Sequence, residues 1–371
     1  MKALFLSHQH ALDGGGGGQQ QCSREYQQVL RSAGFDLLDV TFDTDRTWRT
    51  RLRRKFRPEP YANLIPQDFL ARVDVALREH NPSFVFCNLY NFIPLGPVLR
   101  EMMPKTTKLV ILSHGLASVD EVHASRIARE PFAAMHLPKV SDSWIGRMIQ
   151  SEARGLPAFD HVFCLAEFEV EICRWLGARS VSWWPRTLSA EHFLPWKPKG
   201  DRIGIVGTLD HPPNLEGVEL FCAALHSLEI GPLRLRLVTR SRKIATDLQS
   251  RYPFVDVLGP LEEREAVKAE ASTWNAFIHP IFCHAMGCST KVATGLEWGL
   301  PVLTSTAGLR GYECHDGALP TFNNPVDLAG AAIEMLDIVR ATEARQEILN
   351  TVRLSASLAD VAGRMRADLG L

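Results

Sequence analysis

A chain of 371 residues exceeds what one hydrophobic core usually serves, about 250 to 300 residues, so two domains are expected. With 46% hydrophobic and 22% charged residues, it is not a disordered chain, a fibrous repeat or a disulfide-stapled miniprotein. Lys and Arg number 41 against 42 Asp and Glu, and the formal net charge of -1 gives no bulk attraction to nucleic acid.

In chain order, Lys2 to Ser7 reads as a strand, followed by Gly14 to Gly18 and a helix from about Gln20 to Ser32 that Gly34 closes. Asp36 to Thr41 is the second strand. Phe69, Leu70, Val73, Ala76 and Leu77 carry helical spacing, and Asn81-Pro82 stops that helix before the strand Ser83 to Cys87. Leu109 to Leu112 and His161 to Leu165 continue the series. A break follows from Trp183-Trp184-Pro185-Arg186 into a proline-rich, aperiodic stretch that reads as a linker. The alternation then restarts with Arg202 to Val206, Leu233 to Val238, Val255 to Leu258, Ala276 to His279 and Pro301 to Thr304. Helices dominate from about Pro325. Strand–helix alternation of this kind predicts two doubly wound parallel sheets, with ligands beyond the carboxyl ends of their strands.

The eight cysteines contain no CxxC pair, and several lie in apolar strand-like runs, which suits buried thiols in a reducing compartment. The apolar run Ala3 to Leu6 is short and ends at Ser7-His8-Gln9-His10, unlike a signal peptide. Phe84 to Leu99 carries two asparagines and two prolines, unlike a membrane span. The expected location is cytoplasmic.

Several segments could carry chemistry. The run Gly14, Gly15, Gly16, Gly17 and Gly18 would let backbone amides approach a phosphate or sugar, helped by the following helix N-terminus. It equally reads as a mobile surface loop, because it makes neither a convincing GxGxxG fingerprint nor a P-loop. His114, after a strand, would face the crevice and share a proton with a hydroxyl or anion, or else cap the next segment. Asn88, also at a strand end, is expected on the acceptor side. Ile203 to Asn214 runs a strand into Gly207-Thr208 and a helix. Lys291 follows a small-residue loop near a helix start, placed to neutralise a diphosphate or to stand solvated on the surface. His279-x3-Cys283 and His284-x3-Cys288 bring zinc to mind, but two separated ligand pairs bracketing a knuckle are lacking, so no metal is expected. Arg46 to Arg57, with Trp48 and Phe56 interleaved, is either a solvated loop or a basic aromatic patch for anionic lipid or an acidic acceptor.

Taken together, Gly207-Thr208…Pro213-Asn214 and Lys291…Gly299-x-Pro301-Val302 resemble glycosyltransferases of the GT-B fold, close to family 4. The resemblance spans nearly the whole chain. It implies two facing Rossmann-like domains: 1–190 on the acceptor side, a linker 191–200, a nucleotide-sugar-binding domain 201–354, and a last helix 355–371 expected to cross back to the first domain. Donor contacts are then expected from Gly14 to Gly18, Gly207, Thr208, and the loop Cys283, His284, Ala285, Met286, Gly287, Cys288, Ser289 and Thr290. His114 and Lys291 take the catalytic positions. The family's ribose-binding glutamate falls on Thr294, with Glu297 as a substitute nearly one turn on, and its other glutamate falls on Met286.

What the resemblance implies is a hexosyltransferase-like enzyme with a UDP- or GDP-linked donor as co-substrate and no cofactor. The acceptor would be a saccharide, lipid-linked or other hydroxyl, in bacterial polysaccharide or glycoconjugate synthesis. Retention of configuration is expected. A nucleotide-sugar epimerase and a non-catalytic binding protein on the same fold stand as the alternatives.

Overall fold

The computed structural model describes residues 1–14, 17–44, 65, 66, 68–261, 263–313 and 319–371. The first half supplies β1 (Lys2–His8), β2 (Asp36–Phe42), β3 (Phe84–Asn88), β4 (Lys108–Ser113), β5 (His161–Cys164) and β6 (Val181–Trp183). They form one parallel sheet in the order β2-β1-β3-β4-β5-β6. The second half supplies β7 (Arg202–Val206), β8 (Arg234–Val238), β9 (Val255–Leu258), β10 (Ala276–His279) and β11 (Val302–Thr304), parallel in the order β11-β10-β7-β8-β9. Strands such as Phe84–Asn88 and Ala276–His279 are buried at every residue, because helices cover both faces of a parallel sheet.

Both orders reverse once, between β1 and β3 and between β7 and β10. Those switch points open crevices at the strand carboxyl ends, where a loop leaves to each side and a ligand can enter. Asn88 ends β3 at the first, and Gly207 follows β7 at the second.

One correction concerns the break after residue 182. Val181–Trp183 is a strand, in register with Val162 to Cys164, and the alternation stops only at Pro185. Three residues carry too little periodicity to be read, and a proline two positions on masks them.

The halves interlock. Ile127, Ala128, Ala133 and Leu137, from the first half of the chain, pack in the core of the second sheet. Arg126 donates to both carboxylate oxygens of Glu216, at 2.5 and 2.7 Å. Residues 191–200 are strapped down rather than free: Leu194 N donates to Trp298 O at 3.0 Å and Trp196 Nε1 to Trp274 O at 2.6 Å. The last helix, Leu358–Asp368, starts at a Ser357–Asp360 capping box. It lays Val361, Ala362 and Met365 against Phe5, Tyr26, Val29 and Leu30 of the first half. Each such side chain is worth about 1.5–3 kcal/mol when fully buried, apart from the smaller alanine.

Candidate active site

Lys291 is the second residue of the helix Thr290–Glu297, which starts just beyond the carboxyl end of β10. Its aliphatic stem lies across the strand-end turn, and a Cβ built on Gly207 would meet Lys291 Cε at 2.4 Å. Asn214 ties the two together, donating from Nδ2 to Thr208 O at 2.9 Å and accepting from Lys291 Nζ at 3.4 Å. Gly207, Thr208, Asn214, His279 and Lys291 line one small cavity. Burial, and then the charge of Arg310, lowers the Lys291 ammonium to about 8.

Arg310, to which sequence reasoning assigned no role, is the second cation here. It is 7% exposed. Nη1 donates to Ala307 O at 2.7 Å, and Nε has no partner. Among the described residues neither Lys291 nor Arg310 forms an ion pair within 4 Å. Burying a cation with so little compensation is costly, and an anion entering the crevice removes the cost. The helix N-terminus beside Lys291 adds partial positive charge.

The loop 283–290 meets the first half of the chain through backbone amides that donate to acidic side chains. Met286 N donates to Asp120 Oδ1 at 2.7 Å, and Gly287 N to Glu169 Oε1 at 3.0 Å. The same Glu169 oxygen accepts from Leu116 N at 2.9 Å. Asp120 Oδ2 also lies 2.8 Å from His211 Nε2. Burial pushes the Asp120 carboxyl up, but the His211 and Met286 contacts outweigh it and leave it below the usual range. Glu169 is fully buried with Oε2 unpartnered, and desolvation raises it to about 7 despite the two amides. A Cβ on Gly287, at φ +59°, would lie 2.1 Å from His114 O, so only glycine allows this approach. Gly18 comes equally close to Thr290, its Cβ position being 2.6 Å from Oγ1.

His114 is held from behind. Asn88 donates from Nδ2 to Ser7 Oγ and Ser23 Oγ, both at 2.9 Å, which leaves Oδ1 to accept from His114 Nε2 at 2.7 Å. The tautomer assigned by this network carries its proton on Nε2 and leaves the lone pair on Nδ1. Burial, with Arg186 nearby, lowers the imidazole to about 3, so it is neutral at physiological pH. Leu89, immediately after Asn88, takes φ 100°, backbone strain of the kind that concentrates at functional sites.

Several expectations need correcting. Asn88 is not an acceptor-side contact: it is wholly buried and orients His114. Glu297, the expected substitute for the ribose ligand, has Oε1 accepting from Ser189 N at 3.3 Å, just ahead of the linker. Thr294 bonds back to Thr290 O within its own helix. The tandem His and Cys residues diverge: His279 Nε2 pairs with Ser289 Oγ at 2.6 Å, the His284 ring packs on Phe168, and Cys288 faces Cys22. Cys283 is buried and its thiol is pushed up to about 11. Ala285 is buried as well. Gly14 and Gly17 lie at the edges of the glycine loop, while Gly15, Gly16 and the segment Arg46 to Arg57 lie outside the described residues.

Two parallel sheets, each with its switch point at one crevice, give the architecture of the GT-B fold. Residues 200–337 match the family described as glycosyl transferases group 1. A search of curated protein sequences finds no match. Solved structures share the architecture across almost the entire chain. Sucrose-phosphate synthase from Thermosynechococcus elongatus is 16% identical, covers 99% of this chain and 98% of its own, and gives a TM-score of 0.70. Anabaena HepE in complex with UDP-glucose is 15% identical, with 100% and 99% covered and a TM-score of 0.67. The lipopolysaccharide outer core galactosyltransferase WaaB is 13% identical, with 100% and 99% covered and a TM-score of 0.59.

Proposed function

We propose that this enzyme transfers a hexosyl group from a UDP- or GDP-linked sugar to an acceptor hydroxyl, with retention and without a metal, in bacterial polysaccharide or glycoconjugate synthesis. The observation that carries the reading is the pair of cations without an ion-pair partner, half-buried Lys291 and buried Arg310, at the second switch point beside a helix N-terminus. A leaving diphosphate develops charge as its bond to the anomeric carbon breaks, and fixed positive groups in a dry crevice stabilise that charge. The acceptor oxygen bonds to the same carbon on the face the diphosphate leaves, and its proton passes to the departing phosphate oxygen. His114, neutral and fixed through Asn88, offers a lone pair to a hydroxyl rather than a proton.

HepE is recorded with UDP-glucose and TarM from S. aureus with UDP, which supports a nucleotide-linked donor here. An epimerase would need free acid–base carboxylates. Asp120 accepts from Met286 N and contacts His211, and Glu169 is wholly buried with one oxygen on the Gly287 and Leu116 amides, which favours transfer. No helix among the described residues is long and apolar enough to cross a membrane. Cytoplasmic location, with peripheral membrane contact through Arg46 to Arg57, completes the reading.

A thermal-shift panel of UDP, GDP, dTDP, ADP and NAD tests it. Ligand at about 100 times its dissociation constant stabilises by roughly 2.7 kcal/mol. One nucleoside diphosphate is expected to raise the melting temperature in the wild type and not in Lys291→Ala. Silence across the panel overturns the donor assignment.

A further inference from the structure

Cys22 lies in the first turns of the helix Gly18–Ser32, directly after the glycine loop, and Cys288 lies in the loop 283–290. Their sulfurs are 3.9 Å apart although 266 positions separate them in sequence. Arg186 stands over both, with Nη1 3.3 Å from Cys22 Sγ and 3.4 Å from Cys288 Sγ. Glu25 fixes the guanidinium by accepting from Nε, and also accepts from Thr187 N at 2.6 Å. Three elements therefore converge on one thiol pair: the glycine-loop helix, the entry to the linker and the loop facing the crevice.

The two thiols are not equivalent. Of the seven described cysteines six are buried, and Cys288 alone is partly open. The hydrogen bond from Cys22, reinforced by the Arg186 charge, outweighs burial and lowers Cys288, while Cys22 is raised. Arg186, 3.4 Å from the more open Cys288 sulfur, favours the thiolate there, the nucleophilic form. A second close pair, Cys164 and Cys173 at 3.7 Å, is wholly buried within the first half, and no arginine among the described residues donates to either sulfur.

We infer that Cys22 and Cys288 form a peroxide-oxidisable site whose disulfide bolts the glycine-loop helix to the loop 283–290 and holds the crevice shut. The Cys288 thiolate attacks one oxygen of a hydroperoxide and the O–O bond breaks. The sulfur becomes a sulfenic acid, and the departing hydroxide or alkoxide takes a proton from water. Cys22 then attacks the Cys288 sulfur. The S–O bond breaks, a water leaves with the Cys22 proton, and the disulfide forms. With hydrogen peroxide, two thiols and one peroxide yield one disulfide and two waters. The cross-link keeps Met286 N and Gly287 N on Asp120 and Glu169, the arrangement already present, so the loop cannot swing away to admit a ligand. Only the consequence for donor entry rests on the proposed function; the oxidation and the closure do not.

The test treats reduced full-length protein with one equivalent of hydrogen peroxide, blocks free thiols and maps peptides. A Cys22–Cys288 linked peptide is expected, together with slower hydrogen exchange of the amides 286–290, and dithiothreitol reverses both. Cys22→Ser is expected to stop at a sulfenic acid on Cys288, trapped as its dimedone adduct, and Cys288→Ser forms no cross-link. Full alkylation of Cys288 after peroxide, or a cross-link forming first between Cys164 and Cys173, overturns the site. A cross-link that leaves exchange at 286–290 unchanged overturns the closure. The nucleotide panel on reduced protein judges the donor reading separately.

Discussion

The Gly287 amide donates to the carboxylate of Glu169 at 3.0 Å, joining residues 118 positions apart across the crevice. The contact makes one buried acid the hinge between the segment after β4, through Leu116 N, and the loop 283–290. An unpaired carboxylate oxygen left at such a place is expensive, and the protein partly avoids the expense by keeping the group protonated.

Glu169 consequently makes stability depend on pH in a definite direction. Desolvation raises its folded value from 4.5 to about 7, so between those values the native state holds a proton that the unfolded chain has released. Stability is greatest below 4.5 and falls as pH rises through 7, by an amount on the order of 3 kcal/mol. Glu169→Gln is neutral throughout, and its amide oxygen can accept from the same two N–H groups. Melting curves from pH 5 to 8 are expected to flatten in the variant, with a higher melting temperature than wild type at pH 8. A lower one there would mean that the negative charge itself is required by Arg310.

Gly287→Ala tests the backbone approach. Its Cβ would meet His114 O at 2.1 Å, a backbone atom that no rotamer change can move, and the φ of +59° adds about 1–2 kcal/mol of left-handed strain. The loop must withdraw, and kcat/KM for transfer is expected to fall at least tenfold while the helix content is retained. Gly146→Ala, with nothing within 4 Å of its added carbon, serves as the control and leaves kcat/KM unchanged. A fully active Gly287→Ala enzyme would show that the contact is dispensable.

Much of this was legible in the residues themselves. Arg202–Val206, Val255–Leu258 and Ala276–His279 have the bounds that their short β-branched and apolar runs mark between turn residues. Lys291 at a helix start after a small-residue loop was legible, whereas its stem lying across Gly207 comes from the packing of the second sheet. Asp120, Glu169 and Arg310 were not legible. The contacts of the two acids with residues 286 and 287, and the placing of Arg310 near Lys291, are set by tertiary packing, and nothing in the local spacing around 120 or 169 marks an acid as buried. Glu297 shows the same limit: proximity along a helix does not decide which neighbour a side chain faces, and one oxygen here accepts from Ser189 N.

The last helix should matter to the first half of the chain. Met365 is 1% exposed in the cluster that contains Phe5, Tyr26 and Leu30, and the adjacent Arg366 donates to Ala33 O at 2.7 Å. Met365→Ala is expected to cost about 2–5 kcal/mol in denaturant unfolding, the range for truncating a buried side chain of this size. Val339→Ala, at an exposed site in the preceding helix, should change stability by less than about 0.5 kcal/mol. Equal losses from the two would show that the helix Leu358–Asp368 is not docked as described.

Lys291 and Arg310 predict how nucleotide binding responds to alkali. In the free enzyme burial and the neighbouring guanidinium hold the ammonium at about 8, and a diphosphate binds the charged form. Affinity for the nucleoside diphosphate should therefore be flat below pH 8 and weaken about tenfold per unit above it, as Lys291 loses its proton before binding. Lys291→Arg stays charged, so the alkaline limb disappears. Arg310→Gln has a less intuitive signature. It removes a cation and weakens binding at pH 7, but it also removes a charge that opposes the Lys291 proton, so the limb moves to higher pH. Titrations of Kd between pH 6.5 and 9.5 on the three proteins check this pattern. A limb that persists unshifted in Lys291→Arg assigns the titration to another group and removes Lys291 from the diphosphate site.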